Sequence, residues 1–202
     1  MKTPRIIDAF NKIDRADFVL EEYINEAYVD APLPIGYGQT ISQPLTVAFM
    51  IELLQPEPGD KILDIGFGSG WTTALLAEIV GARGKIFGIE RIAELCEFGK
   101  NNANKYDFIK KGVAEMICAD GTKGWPRIIT VRGKEDKAPF DKILASASAK
   151  ELPKPWKKQL KIGGRIVAPV EWSVWLFIKE EEDKFEEIEY PGFSFVPLIS
   201  EL

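Results

Sequence analysis

At 202 residues, with 46% hydrophobic and 28% charged residues, the chain suits one globular domain with a substantial core and is short for a separate substrate domain. Its 26 basic and 31 acidic residues give a net charge of −5 without a long run of one sign, which argues against phosphate-driven nucleic-acid binding. There is no histidine, which excludes histidine triads, histidine general bases and histidine metal ligands, and no apolar run approaches the length of a membrane span.

Thr3 and Pro4 read as an N-cap and first helical residue, and Ile6, Ile7, Phe10 and Ile13 recur at helical spacing. Met1 to Arg5 leads into no signal-type core, so a cytoplasmic protein is expected. Residues 16–31 carry Phe18, Val19, Leu20, Tyr23, Ile24 and Tyr28 and read as a cover over the polar loop that begins at Leu33. That loop is Leu33-Pro34-Ile35-Gly36-Tyr37-Gly38-Gln39-Thr40-Ile41-Ser42-Gln43-Pro44, a turn-rich stretch with a proline near either end. From Pro44 the apolar spacing turns helical, so a shaped polar loop feeds a helix N-terminus, a place that favours anions such as a carboxylate or phosphate.

Strand and helix then alternate: strand Lys61–Ile65, helix Gly70–Val80, strand Lys85–Ile89, helix Ala93–Lys105 and strand Ala114–Cys118. After a polar stretch from Asp120 to Pro139 come a strand at Phe140–Leu144, a helix around Pro155–Leu160 and a strand at Arg165–Val170. Ser173–Lys179 and Lys184–Tyr190 read as a closing hairpin. The pattern predicts an α/β fold, a doubly wound, mostly parallel sheet with helices on both faces. One domain is expected over 1–202, with N-terminal helices and the polar loop in 1–55 and the sheet in 56–202. Cys96 and Cys118, on a predicted helix and strand, read as buried reduced thiols, and no metal site is expected.

In such a sheet the C-terminal ends of the parallel strands share one edge, where ligands bind. Asp64 to Gly70, Glu90-Arg91, Asp120-Gly121 and Ser146 to Ala149 should therefore converge. Gly66-Phe67-Gly68-Ser69-Gly70 lets the backbone approach a ligand, but the third glycine comes one place too early for a dinucleotide fingerprint. Asp64 would repel a pyrophosphate and could meet a cationic group, favouring a cofactor with positive charge and no phosphate. Glu90, closing the second strand, can accept hydrogen bonds from both hydroxyls of a ribose, and Asp120 can meet a purine amino group.

Together these features describe an S-adenosyl-L-methionine pocket, and from about Ile13 to Leu198 the chain resembles the protein-L-isoaspartate O-methyltransferases. The more specific shared stretches are Ala31 to Ser42, Asp120-Gly121-Thr122-Lys123-Gly124-Trp125, Gln159 to Arg165 and Phe195-Val196-Pro197-Leu198. The resemblance implies a Rossmann-like fold and S-adenosyl-L-methionine as cofactor, with S-adenosyl-L-homocysteine as product. It implies methyl transfer to isoaspartyl peptides and proteins; from charge and hydropathy no nucleic-acid or membrane partner is expected, and a monomer is the expected state. It makes the Ala31–Ser42 stretch the substrate loop, with Ser42 beside the reacting carboxylate, and Thr40 and Gln39 are expected to help hold that group. Leu45 and Thr46 stand where many members carry histidine, Glu171 to Trp175 departs from the family pattern, and Arg127–Lys137 reads as an insertion. Two alternatives remain on the sequence: methylation of a small-molecule carboxylate or hydroxyl, and a non-catalytic module that binds the same cofactor. Trp172 and Trp175, three apart, are expected on opposite faces of a strand.

Overall fold

The structure, a computed structural model, describes residues 1–126, 128–130 and 133–199. Helix α1 (Pro4–Lys12) opens the chain, and two short 3-10 turns, Arg15–Phe18 and Glu21–Glu26, come next. The polar stretch is a small antiparallel hairpin, β1 (Leu33–Gly36) and β2 (Gln39–Ile41), with Tyr37 and Gly38 at its tip in the left-handed region. Helix α2 (Pro44–Leu54) begins at a proline, whose missing N–H costs nothing in a first turn.

The chain continues through β3 (Lys61–Ile65), α3 (Trp71–Val80), β4 (Lys85–Glu90), α4 (Ala93–Asn104) and β5 (Ala114–Cys118). The insertion expected at 127–137 lies partly outside the described residues; its described part includes the hairpin β6 (Ile128–Thr130) and β7 (Gly133–Glu135). Strand β8 (Phe140–Ala145), helix α5 (Lys154–Gln159) and strands β9 (Leu160–Val170), β10 (Ser173–Glu181) and β11 (Lys184–Pro191) complete the order. Strand β9 starts five residues earlier than its apolar run suggests. Gly163-Gly164 sits in an irregular stretch of that strand where the β8 register shifts.

The main sheet has seven strands in the order β11-β10-β9-β8-β3-β4-β5. Its β9-β8-β3-β4-β5 part is parallel, and the terminal hairpin adds β10 and β11 antiparallel. The chain winds outward from β3 through β4 to β5 and then returns to place β8 on the other side of β3. The crevice between the ends of β3 and β8 is thus the switch point in strand order. The central strands are apolar on both faces, as a doubly covered sheet requires. Ile62, Ile86 and Val167 pack with α1, α2 and α3, while Leu63, Ile65, Phe87 and Ile166 pack with Trp125, Trp156 and Leu160.

The two cysteines correct the sequence reading. Cys96 of α4 and Cys118 of β5 form a disulfide, with Cα atoms 5.8 Å apart, and Cys118 is exposed. A crossover helix folds back beside the strand that succeeds it, so residues 22 apart in sequence become neighbours. The tryptophan expectation also changes. Trp172 lies in the turn before β10 rather than on a sheet face and is 73% exposed, whereas Trp175 is half-buried and stacks on Phe177. Among the described residues no helix is long and apolar enough to cross a membrane.

Candidate active site

A cleft of about 750 Å3, partly open to solvent, lies at the switch point. Gln39, Thr40 and Ser42 from the hairpin, Gly66, Gly68 and Ser69 from the glycine loop, Glu90 and Arg91 from the end of β4, and Gly121 after β5 all line it. Nine of the sequence-predicted site residues are thereby brought to one cavity.

The glycine loop is shaped by its backbone. Gly66 and Gly68 sit at φ +74° and +49°, and a Cβ on Gly68 would come within 3.1 Å of Ile35 Cδ1. Gly68 N donates to Glu90 Oε2 (3.0 Å), while Glu90 Oε1 accepts from Arg91 N (2.7 Å) and Ile92 N (2.9 Å). The Glu90 carboxylate is thus oriented by three backbone donors, and Oε2, which accepts only one of them, keeps lone-pair capacity for a further donor. Trp71, first residue of α3, also lines the cleft, and its buried indole N–H has no hydrogen-bond acceptor among the described residues.

Three expected contact residues lie elsewhere. Asp64 is fully buried behind the loop, where it accepts hydrogen bonds from Thr72 Oγ1 (3.0 Å) and Thr73 Oγ1 (2.6 Å). Burial, reinforced by the nearby Glu90 charge and opposed by the two threonine hydrogen bonds, lifts its carboxyl to about 6. On β3 the side chain of Asp64 faces opposite to Leu63 and Ile65, toward α3, so it anchors the helix rather than meeting a ligand. Gly70 does not line this cleft; it packs on α4, where a Cβ would stand 2.5 Å from Gly99 O. Asp120 caps the 3-10 turn directly after it, accepting from Thr122 N (2.9 Å) and Thr122 Oγ1 (2.7 Å).

The helix N-terminus expected to attract a ligand anion holds the chain's own carboxylate. Asp30 Oδ1 accepts from Leu45 N (2.9 Å), and Asp30 Oδ2 accepts from Gln43 Nε2 (2.8 Å). The favourable interaction of an anion with this helix end is therefore internal.

Arg15 is the main residue that sequence reasoning missed. It is 3% exposed; Nη1 donates to Ala27 O (2.5 Å), and Nη2 donates to Ala31 O (3.0 Å) and Ser42 O (3.1 Å). Burial pulls its guanidinium down to about 10, still charged at neutral pH. One side chain thus ties together both legs of the hairpin, and its guanidinium lies 5.3 Å from the centre of the Trp71 ring. No local pattern marks such a residue, because its partners are up to 27 positions away.

A second cleft of about 690 Å3 continues from the first and is lined by Pro32, Gln43, Thr46, Ser194 and Phe195. Thr40, Ser42, Ser146 and Val196 line both clefts and form the waist between them. The C-terminal segment walls this region. Ser148 N donates to Val196 O (2.8 Å) and Leu198 N to Ser148 O (2.7 Å), which brings Val196 to Ile199 over the first cleft.

The model of the family described as protein-L-isoaspartate(D-aspartate) O-methyltransferase matches residues 1–202. A protein-L-isoaspartate O-methyltransferase of Methanopyrus kandleri is 42% identical, covering 100% of this chain and 86% of the relative. The second such enzyme of Archaeoglobus fulgidus is 46% identical over 98% of this chain and 86% of its own length. Among solved structures, one described as a protein-L-isoaspartate O-methyltransferase superimposes with a TM-score of 0.84 at 25% identity, covering 98% of this chain and 62% of that one. A Plasmodium falciparum structure of the same description, in complex with S-adenosyl-L-homocysteine, shares the fold, with a TM-score of 0.83 at 22% identity over 98% of this chain and 92% of that one. The chain belongs to the protein-L-isoaspartate(D-aspartate) O-methyltransferase family.

Proposed function

We propose that this protein methylates the free α-carboxylate of L-isoaspartyl residues in peptides and damaged proteins, using S-adenosyl-L-methionine, and so starts their repair. The observation that carries the reading is the meeting of two clefts at Thr40 and Ser42: one walled by the glycine loop and Glu90, the other uncharged and open to the surface. The first suits the cofactor. Backbone at Gly66 and Gly68 can approach it, Glu90 can accept from ribose hydroxyls, and Trp71 has a buried N–H to offer.

When bound, S-adenosyl-L-methionine supplies an electrophilic methyl group on its sulfonium. The substrate carboxylate is ionised at neutral pH, so the chain has no proton to remove. Consistent with this, the four residues of the waist include no general base. What they contribute is position and exclusion of water, and alignment of this kind can recover about 7–11 kcal/mol of a barrier. Ser42, with Thr40 and Gln39, holds the carboxylate. An isoaspartyl residue presents that group beside a main chain longer by one methylene, whereas aspartate presents it on a side chain, and a shaped waist separates the two by position. Action as a monomer in the cytoplasm belongs to the same proposal and is tested by light scattering and cell fractionation.

The test is transfer of labelled methyl to one peptide made in isoaspartyl and aspartyl forms. Base-labile label in the isoaspartyl form alone is the expected result; label in neither form, or equally in both, overturns the reading. Ser42→Ala should slow transfer while leaving affinity for S-adenosyl-L-homocysteine unchanged.

A further inference from the structure

The waist has a third hydroxyl, on an element that neither the hairpin nor the glycine loop supplies. We propose that Ser146 is a catalytic residue that donates a hydrogen bond to the substrate carboxylate alongside Ser42 and Thr40, so that the anion is held by uncharged groups alone. The inference rests on the carboxyl methyltransferase reading and adds a residue to it.

Ser146 comes directly after β8, and its N–H donates to the carbonyl of Ile65 (2.9 Å), the last residue of β3. Its backbone is therefore pinned at the switch point, beside the cofactor loop. It lines both clefts, and no hydrogen bond holds its hydroxyl among the described residues. Ser148, two residues on, differs: its Oγ donates to Glu171 O (3.1 Å) and serves the fold.

Two other groups that could receive an anion here are committed to the fold. Asp30 fills the N-terminus of α2, and the Arg15 guanidinium is buried among carbonyls. Arg91 lines the first cleft only, and no lysine or arginine lines the second. A carboxylate entering the waist therefore meets hydroxyls and no cation. That suits a reaction in which the nucleophile loses its charge as the new bond forms. A cation would stabilise the ground-state anion more than the transition state and slow the step, whereas hydroxyl donors fix position with less of that penalty. Hydrogen bonds to a charged group are nonetheless strong enough for the loss of one to be measurable.

The experiment compares wild type, Ser146→Ala and Ser146→Thr. Ser146→Ala should lose about tenfold or more in kcat/KM toward the isoaspartyl peptide, and Ser146→Thr, which keeps the hydroxyl, should recover most of it. By calorimetry, Ser146→Ala should bind S-adenosyl-L-homocysteine within about twofold of wild type, and its complex with that product should bind the isoaspartyl peptide more weakly. Activity of Ser146→Ala at the wild-type level, an equal loss of product affinity, or no recovery in Ser146→Thr would each overturn the role. If the wild type itself methylates neither peptide form, the methyltransferase reading has failed, and that result is distinct from these.

Discussion

The two walls of the site are built in opposite ways. The cofactor wall is made by consecutive elements of the sheet: Gly68 N reaches Glu90 from the neighbouring strand end, and Gly70 packs on Gly99. The substrate wall is assembled from distant segments: Arg15 clips Ala31 and Ser42, Asp30 caps α2, and Leu198 pairs with Ser148. The first is set by the strand register of the sheet, and the second depends on a few polar ties between distant segments. Their separate origins mean that substitutions should be able to weaken one wall while sparing the other.

Arg15→Met is the strongest way to break the comparison. It keeps an apolar stem and leaves the carbonyls of Ala27, Ala31 and Ser42 without their donor. Each unsatisfied buried acceptor costs about 1–3 kcal/mol, so the loss of stability should reach about 3 kcal/mol or more. Peptide methylation should fall further than affinity for S-adenosyl-L-homocysteine. Denaturant unfolding and calorimetry measure the two, and an equal fall in both would mean that the walls are not independent.

Asp64→Asn tests the cofactor wall from behind. With its carboxyl raised to about 6 by burial, the folded chain holds this proton more tightly than the unfolded chain. The stability that protonated Asp64 contributes is therefore present below about pH 4 and lost as pH rises through about 6. Asparagine cannot lose that proton. The stability of the variant relative to wild type should improve by on the order of 3 kcal/mol between about pH 4 and pH 7. Parallel stability curves for the two proteins would show that Asp64 does not titrate in this window.

Glu90→Ala should weaken S-adenosyl-L-homocysteine by about 1.5–3 kcal/mol, the range for hydrogen bonds to a charged group, with a smaller effect on stability. Its three backbone donors lie beside the cleft, where water can replace the carboxylate. Unchanged affinity would remove Glu90 from the cofactor wall.

The same division explains what the sequence discloses. Strands β3 and β5, the glycine loop and Glu90 are all legible, since a local period or spacing marks each one. The depth of Asp64 is less legible, although an acid inside Ile62-Leu63-Asp64-Ile65, with Thr72-Thr73 in the next helix, is a signal for a buried, hydroxyl-bound carboxylate. Arg15 and Asp30 are not legible, because their partners lie 12 to 27 residues away and obey no period. The N-terminus of α2 does hold an anion, as its sequence suggests. What local pattern cannot reveal is that the chain supplies the anion itself.

Trp172 gives the smallest expected effect and the sharpest contrast with Arg15. Its side chain is exposed, and what ties its turn to the fold is the backbone: Trp172 O accepts from Gly192 N (3.0 Å) and Phe193 N (3.0 Å). Trp172→Ala keeps both of those bonds and removes an indole that packs into neither main core. The change in stability should therefore stay within about 0.5 kcal/mol, and product affinity should not move. The turn leads through Phe193 to Ser194 and Phe195 of the second cleft, so peptide KM is the quantity to watch. A rise in KM at constant kcat would extend the substrate wall to this turn, because uniform binding energy is lost without loss of alignment at Ser42. An unchanged KM would confine that wall to the hairpin, Ser146 and the C-terminal segment.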